Sequence, residues 1–443
     1  RDAQESRGLG DVYKRQIVDC GIDIICRMKI LTVVCGLGIG GTERTAENFS
    51  IGLMRCGYDV KVYASSEGGE RAENLRQLGI EVMYSCSELH ELKNSGWTPD
   101  VIHLHSLRVS MEAFMLIHNL FPGARIYEQN VFCTPTKFTP YLSSSLQLSQ
   151  WCLWYYSQFP STKRVSKTIL PNAINVSNFY PCSLVEREDT RRSYGIAPDD
   201  FVLLRVGQPY NGKWNHKIID VFIDFHKKYP RALLWLVGAS PSVVHKISRL
   251  PNKSVKSRIL LTDKLIGDEK LRLCYGASDV FLHMARIGET FGIVLAEAIL
   301  CGLPVVTHQT PYSENSQAEV VGHLRGGLVA NRYGGIIAAL ERLYLEPEFG
   351  KKLAITGAAV IKERYSIQSS INLFQSIMRG EVHSWKYVTK DLKIYLRDAI
   401  DAPIPGILFL LCMKKVLLYV VPDKYCRFFF RFWCRLFDKA VQM

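Results

Sequence analysis

Short apolar runs rich in β-branched residues alternate along the chain with stretches of helical apolar spacing. Ile30–Cys35 is the first such run, and a glycine-rich segment follows it. Next comes a helical pattern with its apolar positions on one face, which stops at Gly57, and then a second run, Val60–Ala64. A strand, loop, helix and strand in this order predict the start of a parallel sheet covered by helices.

The same alternation continues through two successive halves of the chain. A proline-rich and asparagine-rich loop between Pro171 and Pro181 separates them, and the pattern then restarts. We therefore expect an α/β fold with two consecutive parallel-sheet domains, 28–180 and 181–380. The further predicted strands are Val101–Leu104, Ala124–Tyr127, Phe201–Val206, Ala232–Val237, Ile259–Leu261, Val280–His283 and Val305–Thr307.

The two ends of the chain differ in character from these halves. Residues 1–27 lack clear periodicity, so we expect a native start at Met28 and a non-native or disordered leader before it. Residues 381–443 form a tail in which basic residues recur every four positions among aromatics, at Arg427, Arg431, Arg435 and Lys439. This spacing predicts an amphipathic helix and peripheral membrane contact through residues 404–440. The alternative is that the aromatic residues pack on the two domains.

Composition narrows the class of protein. The net charge of +13 favours anionic partners, including nucleotide phosphates and acidic lipids, but does not choose among them. No apolar run reaches 18 residues, which argues against a spanning helix. The 13 cysteines form no CxxC pair, so reduced thiols in a cytoplasmic protein are expected, without zinc or a disulfide framework. We expect a cytoplasmic location, with peripheral binding on the inner face of the membrane.

The first glycine-rich stretch is a candidate phosphate loop. Gly36, Gly38 and Gly41 match G-x-G-x-x-G, and Gly40 and Gly41 precede a predicted helix. A dinucleotide site also requires an acidic residue at the end of the second strand. That strand is predicted to end at Ala64-Ser65-Ser66, with Glu67 one step late, which argues against an NAD site. The alternative is a tight turn that requires glycine only for its φ angles.

The second stretch, residues 288–298, carries the strongest chemical signal. It joins a predicted strand to a helix predicted over Phe291–Leu300, and its two carboxylates, Glu289 and Glu297, lie eight residues apart. Free N–H groups at the helix start would bind a diphosphate without a metal, contributed by Phe291, Gly292, Ile293 and Val294. Glu297 would accept bonds from a ribose diol, and Glu289 would bind sugar hydroxyls. Two glutamates at an ordinary exposed helix start are the alternative, disfavoured because Glu297 lies in an apolar helix.

These residues carry a family resemblance over about Met28 to Gly380. The stretch resembles the E-x7-E signature of glycosyltransferase family 4, whose fold is called GT-B. Other segments are similar to that family at Gly40-Gly41-Thr42-Glu43-Arg44, Gly57-Tyr58-Asp59-Val60, Asp100-Val101-Ile102-His103-Leu104-His105-Ser106, Pro171-Asn172-Ala173 with Phe179-Tyr180-Pro181, and Ala298-Ile299-Leu300-Cys301-Gly302-Leu303-Pro304-Val305-Val306.

The resemblance implies a fold and a reaction. Two Rossmann-like parallel-sheet domains would face each other across a cleft, the first binding the acceptor and the second a nucleotide diphosphate sugar. The reaction would retain the anomeric configuration, without a metal and without a cofactor, because the nucleotide sugar is itself a substrate. Glu289 and Lys213 would be the catalytic pair, Lys213 stabilising charge on the leaving diphosphate. Gly40 and Gly41 would contribute to donor binding.

The chain departs from the family pattern in two places. Gln208, a donor-side candidate, stands where an arginine usually accompanies the lysine, and strand alternation is expected to turn Arg205 to the other side. The usual histidine motif of the first domain is replaced by a variant, which leaves His105, Glu128 and Asn130 as acceptor-side candidates. His105 could equally be a strand-end histidine whose ring is bonded by backbone groups.

Three hypotheses follow from the sequence. The first is a glycosyltransferase in polysaccharide or envelope biosynthesis, acting on a cell-envelope, lipid-linked or polysaccharide acceptor, with no nucleic-acid partner. A second, motivated by Gln208, is a sugar-nucleotide-binding protein without transfer activity. A third is a GT-B epimerase acting on the sugar nucleotide, disfavoured by the spacing of Glu289 and Glu297 and by the basic, aromatic tail.

Overall fold

The structure is a computed structural model that describes residues 28–311, 313–381 and 399–401. The predicted leader, 1–27, lies outside the described residues, and so does the tail segment 404–440 for which membrane contact is predicted.

The first sheet has seven strands in the order β3-β2-β1-β4-β5-β6-β7. Strands β3 to β5 pair in parallel along this order, as does β6 with β7. Its strands are β1 Lys29–Gly36, β2 Asp59–Glu67, β3 Glu81–Met83, β4 Val101–His105, β5 Arg125–Asn130, β6 Ser144–Gln147 and β7 Lys167–Ile169. The order reverses direction at β1, so the carboxyl ends of β1 and β4 flank a switch point.

Helices connect these strands, and serine side chains cap several of them. Ser85 accepts from the Glu88 N–H while the Glu88 carboxylate accepts from the Ser85 N–H, a capping box that fixes one helix start. The helices are α1 Gly41–Arg55, α2 Glu70–Gln77, α3 Cys86–Asn94, α4 Met111–Leu120 and α5 Gln150–Tyr156, with 3-10 turns at Thr139–Tyr141 and Pro160–Thr162.

The second sheet has six strands, all paired in parallel, in the order β10-β9-β8-β11-β12-β13. They are β8 Phe201–Val206, β9 Ala232–Val237, β10 Ile259–Thr262, β11 Val280–His283, β12 Val305–His308 and β13 Gly327–Ala330. The switch point lies between β8 and β11. In sheets of this kind a ligand binds beyond the carboxyl ends of the strands at the switch point.

Ten helices accompany the second sheet within the described residues. They are α6 Leu184–Ser193, α7 Lys217–Lys228, α8 Pro241–Ser248, α9 Lys253–Ser257, α10 Asp268–Gly276, α11 Ile293–Leu300, α12 Ser316–Val321, α13 Tyr333–Leu345, α14 Pro347–Tyr365 and α15 Ile367–Met378, with a 3-10 turn at Asn211–Lys213.

The core of the second sheet lies on both of its faces. Along β8, Val202 and Leu204 belong to one buried cluster, whereas Leu203 belongs to another with Trp214 and Phe222. This alternation is expected for a strand covered by helices on both sides.

A short described segment near the end of the chain joins the edge of the second sheet. Ile400 donates its N–H to the Val329 carbonyl of β13 (2.8 Å). The two carboxylate oxygens of Asp401 accept from the N–H groups of Asn331 (2.5 Å) and Arg332 (2.9 Å), immediately before α13. Asp401 therefore holds the two residues that precede α13 from a position about 70 residues later in the chain, and its negative charge lies near the N-terminus of that helix.

The described chain divides into two compact units. One comprises residues 28–129 and 140–144, and the other 130–139 together with the described residues from 145 onward. The predicted domain ranges, 28–180 and 181–380, place the boundary later and stay a prediction.

Among the predicted element ends that differ from the structure, two bear on the candidate sites. Strand β2 continues to Glu67, which pairs with Gly36, so the acidic residue is the last one of the strand and not one step beyond it. The helix predicted from Phe291 begins at Ile293, because Gly292 takes a left-handed conformation (φ 92°). Neither end is marked by a change in the apolar pattern.

Candidate donor site

The second unit carries a group of charged side chains at the switch point of its sheet. Lys213 ends the 3-10 turn that follows β8, and Glu289 lies in the loop between β11 and α11. Strands β8 and β11, which precede Lys213 and Glu289 in the chain, are the two strands that flank the reversal in strand order. Topology therefore brings together two residues that are 76 positions apart in the chain.

Lys213 and Glu289 form a close ion pair. Lys213 Nζ donates to Glu289 Oε2 at 2.6 Å, and Glu314 Oε2 lies 3.9 Å from the same nitrogen. The side chain of Glu289 is 11% exposed and that of Lys213 is 29% exposed, so solvent reaches the pair mainly through the lysine. One ammonium is thus shared by two carboxylates.

A histidine holds the other oxygen of Glu289. His283, the last residue of β11, places Nε2 3.3 Å from Glu289 Oε1 and Nδ1 3.0 Å from Thr307 Oγ1. Burial, together with the charge of Arg205, lowers the pKa of His283 to about 3, so the ring is neutral. A carboxylate accepts only, so Nε2 carries the proton toward Glu289 and Nδ1 accepts from the Thr307 hydroxyl.

The surrounding charges keep Glu289 ionised. Burial alone would raise the pKa of Glu289, but the Lys213 ammonium, the His283 hydrogen bond and the charge of Arg205 outweigh it, and the pKa lies well below its usual range. Burial alone would lower the pKa of Lys213, and Glu289 and Glu314 raise it instead. Glu289 is therefore an anion and Lys213 a cation at neutral pH.

Arg205 lies beneath Lys213, so the expectation that it faces away from the site is wrong. Arg205 is 1% exposed, and its guanidinium donates to the carbonyls of Val206 (2.6 Å) and Lys213 (2.9 Å). Strand alternation itself holds, since Arg205 shares a face of β8 with Leu203. The 3-10 turn that carries Lys213 folds over that same face, with Trp214 under the guanidinium (5.2 Å).

Gln208 lies between β8 and the 3-10 turn that carries Lys213. Its side chain is exposed, and its carbonyl accepts from Trp214 Nε1 at 2.8 Å. Its role in donor binding stays a prediction, but the second cation that the sequence lacks at position 208 is present, buried, at Arg205.

The start of α11 lies directly after Glu289. Ile293 and Val294 occupy the first turn, whose N–H groups have no intrahelical partner. Gly292 is the left-handed residue before them, and Phe291 is buried with its ring 5.1 Å from that of Tyr365. The predicted binding of a diphosphate by the N–H groups of Phe291, Gly292, Ile293 and Val294 stays a prediction.

Glu297 is buried in the body of α11, with 1% exposure. Tyr275 donates its hydroxyl to Glu297 Oε2 at 3.0 Å. This bond accounts for a carboxylate in an otherwise apolar helix. The predicted contact with a ribose stays a prediction.

Sequence reasoning missed several residues of this site. His283 and Thr307 were recognised only as strand ends, and Gln317, whose side-chain oxygen accepts from the Glu289 N–H at 3.0 Å, was given no role. The available signal was position, because His283 and Thr307 lie at or next to the carboxyl ends of strands in one parallel sheet and Gln317 lies in the helix that follows β12.

Gly40 and Gly41 lie in the first unit, at the start of α1. The Gly40 carbonyl accepts from the Arg44 N–H at 3.0 Å, so Gly40 is the residue that precedes the helix. Gly36, Gly38, Gly40 and Gly41 all have negative φ angles, which excludes the alternative that this stretch requires glycine for its φ. Donor binding by Gly40 and Gly41 stays a prediction.

The acceptor-side candidates lie near the carboxyl ends of β4 and β5. His105 is fully buried, and neither ring nitrogen has a hydrogen-bond partner among the residues described, so the alternative of a histidine bonded by backbone groups is wrong. Burial and the neighbouring His103 hold the pKa of His105 well below its usual value. Glu128 is likewise fully buried. Asn130 closes the following turn, donating to the Thr134 carbonyl (2.9 Å) and accepting from the Phe132 N–H (3.0 Å).

Within residues 28–311, 313–381 and 399–401, every helix is too short or too polar to span a bilayer. The same residues contain no cluster of three or more His, Cys, Asp or Glu side chains arranged to hold a metal ion.

Comparison with known proteins identifies the class. Residues 186–359 match the family described as "Glycosyl transferases group 1". The alpha-monoglucosyldiacylglycerol synthase of Acholeplasma laidlawii is 24% identical over 298 residues, which cover 60% of this chain and 73% of that protein. The enzyme of the same name from Streptococcus pneumoniae is 23% identical over 190 residues, 42% of each chain.

A solved structure has the same architecture. Anabaena HepE, crystallised with UDP and glucose, superposes with a TM-score of 0.65 at 17% identity, covering 80% of this chain and 100% of that one. This likeness establishes the fold, and the family match establishes the enzyme class, in agreement with both predictions. The family match, rather than the position of Glu67, is what disfavours an NAD enzyme. The chain is a glycosyltransferase with the GT-B fold, and its residues 186–359 match the glycosyl transferases group 1 family.

Proposed function

We propose that this chain transfers glucose from UDP-glucose to a diacylglycerol-type lipid at a membrane surface, with retention of configuration and without a metal. The observation that carries the proposal is the Lys213–Glu289 ion pair beside the first turn of α11. It combines a fixed cation and free N–H groups for a diphosphate with an ionised carboxylate for a sugar.

The donor would bind by exchanging partners within this group of charges. The diphosphate would accept from the Ile293 and Val294 N–H groups and attract the Lys213 ammonium away from Glu289. Glu289, released from Lys213 but still bonded to His283, would accept hydrogen bonds from sugar hydroxyls. The resting ion pair, whose two charges cancel, thus separates into two binding groups of opposite sign.

Bond breakage places additional negative charge on the leaving diphosphate. Lys213 would stabilise that charge, and Arg205 would add to the positive potential from below while its guanidinium holds the Lys213 loop. A cation held in place before the reaction stabilises the transition state without reorganisation. This arrangement is what supports a metal-independent reaction.

The comparisons support the donor, the acceptor and the stereochemistry. HepE is described in complex with UDP-glucose, and both curated relatives are named as synthases of an alpha-monoglucosyl diacylglycerol. The glucose of UDP-glucose is α-linked, so an α-linked product corresponds to retention.

A release assay tests the proposal. Protein would be mixed with UDP-glucose and vesicles containing diacylglycerol, with and without EDTA, and UDP release and the anomeric NMR signal of the product would be measured. Glu289→Gln should abolish release, whereas Glu363→Gln, at an exposed position of α14, should leave it unchanged. UDP release that requires added divalent metal would contradict metal independence, and a β-linked product would contradict retention.

Binding without release would point to a different function. If UDP-glucose binds but no UDP appears with diacylglycerol or with polysaccharide acceptors, the chain is a sugar-nucleotide-binding protein under those conditions. If UDP-glucose does not bind at all, the proposed donor is wrong.

A further inference from the structure

Gln317 connects Glu289 to the strand that follows the donor site. It lies on α12 and is fully buried. Its side-chain oxygen accepts from the Glu289 N–H at 3.0 Å, and its side-chain nitrogen donates to the His308 carbonyl (3.1 Å) and to Thr310 Oγ1 (2.7 Å). The amide therefore joins the main chain of Glu289 to the end of β12.

The neighbours of Gln317 hold the same loop from the other side. Ser316 donates its N–H to the Glu289 carbonyl (2.9 Å), and Glu314 donates its N–H to the Ile287 carbonyl (3.0 Å). We call the segment Glu314–Gln317 the clasp. Both main-chain polar groups of Glu289 are thus bonded to the clasp, one through the backbone of Ser316 and one through the side chain of Gln317.

Of these two bonds to Glu289, only the one from the Gln317 side chain depends on which amino acid occupies the position. The Ser316 bond would form with any residue at that position except proline, whereas the Glu289 N–H depends on a side-chain acceptor at position 317. Without that acceptor, a buried N–H would lose its partner, and the peptide that carries Glu289 would turn to find another. Such a rotation would move the carboxylate relative to Lys213 and to a bound sugar.

We propose that Gln317 is a positioning residue that sets the orientation of Glu289 and thereby the recognition of the donor's sugar, as distinct from its nucleotide. The inference rests on the proposed function, in which Glu289 binds the sugar hydroxyls. The hydrogen bonds of Gln317 go to groups of the protein, and it acts through the main chain of Glu289.

The experiment separates sugar recognition from nucleotide recognition. Affinities for UDP and for UDP-glucose would be measured by calorimetry for the wild type and for Gln317→Leu. We expect the affinity for UDP to change by less than about twofold. The affinity for UDP-glucose should fall about tenfold, because a displaced Glu289 carboxylate would lose one hydrogen bond to a sugar hydroxyl. In the same variant, the affinities for UDP-glucose and for UDP-galactose should become more nearly equal.

A matched control addresses general destabilisation. Gln147→Leu replaces another fully buried glutamine of the same unit, one whose side-chain nitrogen donates to Ser145 (3.0 Å). It should lower the unfolding temperature without changing the ratio of the two affinities. If Gln317→Leu leaves the ratio unchanged, or lowers both affinities equally, the positioning role is wrong.

A second variant decides the matter if Gln317→Leu does not fold. In Gln317→Met the side chain keeps the unbranched length of glutamine but offers the Glu289 N–H no strong acceptor. The affinity for UDP-glucose should fall relative to the affinity for UDP, as in Gln317→Leu. A folded Gln317→Met protein with the wild-type ratio of the two affinities would overturn the proposal. Failure of the wild type to bind UDP-glucose would instead contradict the proposed function, and no variant is needed to see it.

Discussion

Lys213 Nζ lies 2.6 Å from Glu289 Oε2 and 3.9 Å from Glu314 Oε2, so one partly buried ammonium is neutralised by carboxylates before any donor is bound. A diphosphate has to compete with these carboxylates for the lysine. The site is therefore more than a patch of positive charge, because its affinity depends on how readily Glu289 and Glu314 give up the same cation.

Removal of the lysine charge should mainly affect the chemical step. Lys213→Met keeps most of the side-chain volume, and we expect kcat to fall about 100-fold or more, the usual cost of losing one charge-stabilising donor. Lys253→Met, at an exposed position of α9, is the control. Steady-state kinetics with UDP-glucose measure the effect, and a Lys213→Met enzyme that only raises KM would show that the lysine binds the donor without stabilising the transition state.

Donor affinity should decrease as the pH rises through neutrality. Burial, together with the charge of Glu289, raises the pKa of Glu314 to about 7, although Lys213 opposes the shift. Below that pH the carboxyl is protonated and neutral, and above it the carboxylate repels the diphosphate and attracts Lys213. UDP-glucose carries no phosphate group that titrates near pH 7, so its calorimetric affinity at pH 6 and pH 8 reports on the protein.

Glu314→Gln is the variant that tests this assignment. It should bind UDP-glucose with an affinity that no longer falls between pH 6 and pH 8. A fall as steep as that of the wild type would assign the pH dependence to another group.

Glu319 should make the folded protein less stable as the pH rises. Its carboxylate accepts from the N–H groups of Gln150 and Trp151 at the start of α5, and burial raises its pKa to about 7 despite those bonds. With an unfolded pKa near 4.5, the folded state binds more protons between about pH 4.5 and pH 7, so stability decreases across that interval. In Glu319→Gln the unfolding temperature should change less between about pH 4.5 and pH 7 than it does in the wild type. Glu363→Gln should keep the pH dependence of the wild type.

Gly288 should tolerate no side chain. Its φ is +74°, and a Cβ would collide with the Glu314 carbonyl and with Thr310 Oγ1. Gly288→Ala should lower the free energy of unfolding by about 1–3 kcal/mol and weaken binding of UDP-glucose, because the clasp is displaced from Glu289. Gly123→Ala, where a Cβ would meet nothing within 4 Å, is the control for chemical denaturation and calorimetry. An equal effect of the two substitutions would contradict this packing argument.

The fold was predictable because its signals are local. Each strand of the second sheet that the sequence predicts, from Phe201–Val206 to Val305–Thr307, is an apolar run bounded by glycine, proline or charge, and burial on both faces requires such a run. The element ends at Glu67 and Gly292 were missed, because a hydrogen-bonded register and a left-handed glycine decide them and neither changes the apolar pattern.

The site was predictable only in part. Glu289 and Lys213 were found through the family resemblance, but Gln317 contacts Glu289 across 28 positions and His283 contacts Thr307 across 24. Such contacts depend on how neighbouring strands align. Arg205 was misjudged for the same reason, since alternation gives the face of its strand, whereas the fold of residues 207–213 decides what covers that face.

Asp401, whose carboxylate binds the two N–H groups before α13, is the described residue nearest in sequence to residues 404–440, and it is held by the second unit. If residues 404–440 bind a bilayer, as the sequence predicts, the unit that holds the donor site is the one tethered to it, through only a few intervening residues. A tether that short raises the effective concentration of this unit at the lipid surface.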